Sequence, residues 1–147
     1  MKFISVSEKF FDLCGDDLEL LHKGSKRPHL LVLSLKYKGR RQNFAIPFRS
    51  NIPPSSPKNE YFPLPPRKTT KPKHRHGIHY VKMFPIEKKF QEKFLVFPDS
   101  PYALYQGVII NNKKQIISEC QEYLTRYENG QKSKYAVDID KILEKIK

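Results

Sequence analysis

The segment that most restricts the fold is His29-Leu30-Leu31-Val32-Leu33-Ser34-Leu35-Lys36-Tyr37, an apolar run bounded by turn residues that reads as a strand. Lys38-Gly39-Arg40-Arg41 reads as a turn and Gln42 to Phe48 as the returning strand, so the pair predicts a hairpin. Pro47 has no N–H for a ladder, which predicts that the second strand lies at a sheet edge or ends there.

Other elements group around this hairpin. Residues 2–6 alternate and read as a short strand, and Ser7 can cap a helix that runs to Cys14 and stops at Gly15. Asp16 to Leu21 reads as another short turn. Residues 52–76, rich in Pro, Lys, Arg and Thr, read as an extended loop without regular structure. Ile78 to Ile86 and Phe94 to Phe97 return to strand patterns, with Tyr80 suited to the core or to stacking. Asp99-Ser100-Pro101 opens a long helix to about Glu128, with Gly107 or Asn111-Asn112 able to divide it and Gly130 to end it. Asp138 opens a final amphipathic helix carrying Ile139, Ile142, Leu143 and Ile146 on one side. The expected fold class is α+β in a single domain over 1–147, with an antiparallel sheet that is strongly bent or closed into a small barrel and surrounded by helices.

The chain carries a net charge of +13, and placement matters more than size. Residues 20–86 hold fifteen of the 28 Lys and Arg and all five His against a single acid, Glu60. Such asymmetry points to a polyanionic partner, since solubility alone does not require excluding acids from so long a stretch. No apolar run approaches a bilayer span, and the charged start Met1-Lys2-Phe3-Ile4-Ser5-Val6-Ser7-Glu8 does not read as a signal peptide. Cys14 and Cys120 form neither a ligand pair nor a disulfide framework and read as core residues. The expectation is a cytoplasmic nucleic-acid-binding protein.

Three clusters can carry chemistry. Phe48-Arg49-Ser50-Asn51 follows the second hairpin strand, where polar groups at a sheet rim can dock a phosphate; an ordinary strand-to-loop exit has the same composition. Arg67-Lys68-Thr69-Thr70-Lys71-Pro72-Lys73 can neutralise phosphates and position RNA without reading it. His74-Arg75-His76-Gly77-Ile78-His79-Tyr80-Val81-Lys82 combines histidines with cations. Zinc is disfavoured there because neither Cys is near, whereas imidazole suits proton transfer near neutrality. On strand alternation His79 and Val81 share one face, and Tyr80 and Lys82 the other. The basic stretch lacks the clustered carboxylates of a two-metal nuclease and a Gly-rich phosphate loop. Metal-free RNA cleavage needs a base, an acid and cations around the phosphorus, and His, Lys, Arg and Ser suffice for it.

At Met1-Lys2-Phe3 to Ser7-Glu8-Lys9-Phe10, at Ala45-Ile46-Pro47-Phe48-Arg49-Ser50-Asn51 and at Gly77-Ile78-His79-Tyr80-Val81-Lys82, the chain resembles the ToxN/AbiQ family of type III toxin–antitoxin endoribonucleases, particularly its CptN and TenpN branches. The resemblance implies a fold similar to MazF and Kid toxins and metal-independent cleavage of cellular RNA to 2′,3′-cyclic phosphate and 5′-OH ends, with no cofactor. It also implies a small repeated pseudoknot RNA antitoxin, which the toxin processes and with which it forms a closed 2:2 or 3:3 assembly. The family's hydroxyl pair falls on Arg49 and Ser50. Its following Lys falls on Ile52, which leaves Lys58, Arg49 or His79 to replace that charge. A helix Tyr falls on Phe10. The expected catalytic set is Arg49, Ser50, His79 and Lys58. The expected RNA-binding set is Lys26, Arg27, Arg67, Lys68, Lys71, Lys73, His74, Arg75, His76, Lys82 and, by base stacking, Tyr80. The alternative is a non-catalytic basic RNA-binding protein; a DNA-binding regulator is a weaker rival, with no helix-turn-helix in view.

Overall fold

The computed structural model describes residues 1–21 and 27–147. Lys26 therefore lies outside the described residues. The strands are β1 (Lys2–Val6), β2 (His29–Tyr37), β3 (Arg40–Ile52), β4 (Tyr61–Leu64), β5 (Arg75–His79), β6 (Phe84–Pro85) and β7 (Gln91–Lys93). The helices are α1 (Glu8–Cys14), α2 (Pro101–Asn111), α3 (Lys113–Glu128) and α4 (Ile139–Ile146).

The strands form one sheet in the order β4-β5-β3-β2-β1-β7, with β6 pairing β3, and every pairing is antiparallel. The α+β expectation holds. The barrel does not: β4 and β7 are open edges of only four and three residues, and the sheet is neither closed nor strongly curled. The side chains explain why an open sheet suffices here. Along β2 and β3, Leu30, Val32, Phe44, Ile46 and Phe48 pack on the side of α2 and α3, while Leu31 and Ala45 pack with α1 and α4 on the other. Period-two alternation thus buries both faces under helices, and closure is not needed to hide either.

The hairpin forms where expected, with Lys38 and Gly39 both at positive φ, the geometry a two-residue turn of matching twist requires. Pro47 is not at an edge, because β3 is central and continues to Ile52. The reason is local. Phe48 N–H donates toward β2, to the Pro28 carbonyl, so the Pro47 nitrogen faces the opposite side. There β6 pairs only with Phe44 and Ala45, and β5 begins its pairing at Phe48. Proline occupies the gap between two short partners, where no ladder donor is missed.

Several other expectations shift. The stretch 52–76 is not without structure: a 3-10 turn at Lys58–Glu60 leads into β4, and β5 starts at Arg75. The strand expected over 78–86 breaks at a 3-10 turn, Tyr80–Lys82, before β6, and the strand expected at 94–97 lies at Gln91–Lys93. The long helix divides at Asn112 and not at Gly107, and Gly130 follows it at φ +85°. Asp138 caps α4 by accepting from the Lys141 N–H, whereas the Ser7 hydroxyl makes no capping bond to α1.

Candidate nucleic-acid interface

β3 pairs with β5 through Phe48↔Ile78 and Arg49↔Gly77, and the next pair is Ile52↔Arg75. One extra residue has entered β3 between Arg49 and Ile52. Such a bulge bends a strand and re-aims its side chains, and here it falls on Arg49, Ser50 and Asn51. Ile52 is wholly buried, as is Phe10, so both positions where a family polar group is missing serve the core. The opposite β5 residue must be glycine: a Cβ on Gly77 would lie 2.2 Å from the Phe62 carbonyl oxygen of β4.

The bulge opens onto three adjoining cavities. A central one of about 450 Å³ is lined by Leu21, Arg27, Arg49, Ser50, Asn51 and Thr69. It shares Arg27 and Ser50 with a smaller one of about 270 Å³, which Arg67, His76 and Tyr102 complete. It shares Arg49 with a third, of about 490 Å³, where Arg49 meets His79, Lys82, Glu19, Glu60 and Tyr135. Ser50 and His79 therefore line different cavities, and Arg49 lines both.

Arg27 and Arg49 are both half-buried, and neither has a carboxylate ion-pair partner among the described residues. Arg27 donates from Nη1 to the Phe48 carbonyl at 2.8 Å. Desolvation lowers both pKa values; Arg49 adds to the effect on Arg27, and Glu19 opposes it at Arg49. Two partly desolvated guanidiniums without a direct ion pair, beside Ser50 and Thr69, can receive an anion, although Glu19 offsets part of the Arg49 charge.

His79 is 4% exposed, and its Nδ1 lies 3.3 Å from Arg49 Nη1. A guanidinium can only donate, so Nδ1 is the acceptor and His79 is neutral with its proton on Nε2. Burial, then Arg49 and Lys82, hold its pKa down to about 3. Lys82 is not a free cation: the residue is 5% exposed, and its Nζ lies 2.7 Å from Glu19 Oε1 and donates to the Tyr135 carbonyl at 2.9 Å. Because of the 3-10 turn, His79, Val81 and Lys82 all line one cavity, and the alternation expected from a strand does not apply.

The basic loop is fastened beside the bulge. The Lys71 N–H donates to Asn51 Oδ1 at 2.8 Å, and the Arg67 N–H donates to the Thr70 hydroxyl. The Arg67 guanidinium lies 5.4 Å from the Tyr102 ring centroid and bonds its hydroxyl. Lys68, Lys71, Lys73 and Arg75 are exposed, and His74 is half-buried. His76 is 2% exposed, with Nδ1 3.0 Å from the Pro65 carbonyl oxygen. Of the core and stacking roles open to Tyr80, it takes the core one and not base stacking: it is fully buried and its hydroxyl donates to Glu119 Oε1 at 2.8 Å. Tyr102 is half-buried and lines the smaller cavity. Lys58 is exposed in its turn and does not line the cavity where Arg49 and His79 meet. Glu19 and Tyr135 were not legible as site residues, because both reach it through contacts more than fifty residues distant in sequence.

Among the described residues no helix is long and apolar enough to cross a membrane, and no three His, Cys, Asp or Glu side chains are grouped to hold a metal ion. No family model and no curated protein matches this chain. Solved structures match its fold. One, from work on a bacterial antiviral system regulated by a processed non-coding RNA, aligns with a TM-score of 0.69 over 99% of this chain and 96% of its own, at 20% identity. AbiQ, a lactococcal anti-phage endoribonuclease of a type III toxin–antitoxin system, aligns with a TM-score of 0.73 over 98% and 94%, at 12% identity. A third, from bacterial type III toxin–antitoxin systems in which a non-coding RNA pseudoknot selectively inhibits the toxin, aligns with a TM-score of 0.70 over 98% and 94%, at 14% identity. In fold, this chain is similar to the ToxN/AbiQ endoribonuclease toxins of type III toxin–antitoxin systems.

Proposed function

We propose that this protein is a metal-independent endoribonuclease toxin of a type III toxin–antitoxin system, of the CptN and TenpN kind its motifs resemble. The observation that carries the reading is the pair of half-buried guanidiniums, Arg27 and Arg49, neither in a direct ion pair among the described residues and both lining one cavity with Ser50 at a bulge in the central strand. The fold it shares with known endoribonuclease toxins supports the same reading.

Arg27 and Arg49 bind the scissile phosphate, and the Ser50 hydroxyl donates to one of its oxygens. As charge accumulates on phosphorus, these donors act on it from a partly desolvated site. The ribose 2′-oxygen gives up its proton and attacks phosphorus, the P–O5′ bond breaks, and the 5′-oxygen takes a proton. The products are a 2′,3′-cyclic phosphate and a 5′-OH. His79 takes part in proton transfer once the phosphate draws the Arg49 guanidinium toward itself and frees Nδ1. The nearby anion also offsets the Arg49 charge that helps hold the imidazole neutral. Lys68, Lys71, Lys73 and Arg75 grip the backbone on either side, and Lys58 has no part in the chemistry. In the cytoplasm a repeated pseudoknot RNA, processed by the same site, restrains the enzyme in a closed assembly.

The test is to incubate purified protein with single-stranded RNA, with and without EDTA, and to identify the ends by mass spectrometry. The reading expects cyclic phosphate and 5′-OH ends in both. Intact RNA in both would support a non-catalytic binder, and 5′-phosphate ends or loss of cutting on chelation would remove the mechanism.

A further inference from the structure

The stretch from Glu19 to Lys82 contains only two carboxylates, Glu19 and Glu60, and the fold brings both into the third cavity, beside Arg49, His79 and Lys82. A second phosphate would meet repulsion from these acids, so this cavity is not an extension of the anion site. Its two fixed cations and two carboxylates suit a neutral ligand with both donors and acceptors. Its wall shared with the phosphate site is Arg49 itself, so a group entering it must be covalently next to that phosphate: the base of an adjoining nucleotide.

The polar groups are unequally committed. Glu19 is engaged with Lys82, and Lys82 with Glu19 and the Tyr135 carbonyl. The Glu60 carboxylate makes no hydrogen bond or ion pair among the described residues, although burial penalises its charge and raises its pKa against the pull of Arg126. Tyr135, 56% exposed, lines the same cavity; Lys134 Nζ lies 5.1 Å from its ring centroid, which leaves the other ring face for a base. A carboxylate accepts two parallel N–H bonds, and guanine alone among the four bases presents them, from N1 and the 2-amino group. Adenine would set its N1 lone pair against the carboxylate, and cytosine and uracil each present one donor.

We propose that the cavity between β3, the Lys58–Glu60 turn and the Tyr80–Lys82 turn is a guanine-recognition subsite, with Glu60 accepting from the base edge and Tyr135 stacking on it. The proposal rests on the endoribonuclease reading and makes Glu60 its specificity-determining residue.

Two measurements separate the failures. In the first, kcat/KM is determined on short RNAs carrying G, inosine, A, C or U on each side of the cut. In the second, affinity is measured for the same RNAs made uncleavable by a 2′-deoxy sugar at the cut, for wild type, Glu60→Gln and Tyr135→Ala. The expected result is a preference for G over A and over inosine of about 10-fold or more at one position. Glu60→Gln brings that preference within about 3-fold, and Tyr135→Ala weakens binding of every RNA that enters the cavity. Equal wild-type affinity for G, inosine and A, or a G preference surviving in Glu60→Gln, would overturn the subsite. If wild type cuts nothing yet prefers G in binding, the endoribonuclease reading fails and the guanine subsite stands. Tyr135 is exposed, so its truncation keeps the question answerable should Glu60→Gln fold poorly.

Discussion

β3 is one strand with two halves that do different work. From Arg41 to Pro47 it runs opposite β2 in a ladder broken only near Ser34, and Phe44 to Ile46 are wholly buried between the two helical layers. From Phe48 to Ile52 it pairs with β5 instead, takes in an extra residue, and turns Arg49, Ser50 and Asn51 toward cavities. The first half is held by regular alternation and close packing. The second is irregular, polar and short of counter-charge. The comparison shows how a site can be placed precisely without being stable in itself: the bulged half inherits its position from the packed half, with no residue between them.

Substitutions should separate the two halves. Phe44→Ala, in the packed half, should cost about 3–5 kcal/mol of stability through lost burial and a cavity, read as a fall in the urea midpoint. Arg49→Met, in the bulged half, should lower kcat for RNA cleavage about 10²- to 10³-fold through loss of a charge-stabilising donor, with the urea midpoint nearly unchanged. Should Arg49→Met instead unfold the protein, the division of labour within β3 would be wrong. Next in size is a pH effect that spans the halves. His29, opposite Pro47, and His79, beside Arg49, are both held to about 3, His29 by its complete burial and His79 by burial with Arg49 and Lys82. The unfolded chain binds protons at these groups below about 6.5 and the folded chain does not, so stability falls as pH drops through the window from about 6.5 toward 3. At pH 5 each histidine should account for about 2 kcal/mol of that loss. His29→Gln should flatten the dependence without touching cleavage. The smallest effect belongs to the rim: Lys73→Ala should weaken RNA binding a few-fold on every sequence and reduce the slope of log affinity against log salt by about 1.

How much of this was legible follows from the range of the contacts. The β2–β3 hairpin, the span of α1, the helix division at Asn112 and the Asp138 cap follow local pattern and turn chemistry, although Ser7 makes no capping bond and β3 runs on to Ile52. Pro47 misled because its effect depends on where two other strands stop, which no local window contains. The strand β4 hid inside a proline-rich stretch because its pairing with β5 is tertiary. Arg49, Ser50 and His79 could be picked out from residue type and position after a strand, yet their arrangement could not. The bulge, beside which Ser50 and His79 line different cavities and Arg49 lines both, is a property of register. Which of its two roles Tyr80 takes is likewise tertiary: a 3-10 turn replaces the expected strand, and its ring lies in the core.

The central claim is attack by the ribose 2′-oxygen on a phosphate held at Arg49. The most direct measurement places a single 2′-deoxy or 2′-O-methyl sugar on the 5′ side of the mapped cut in an otherwise unchanged RNA, and follows cleavage there. The account predicts that cutting at that bond is abolished while cuts elsewhere and binding persist. Continued cleavage at the blocked sugar would contradict it.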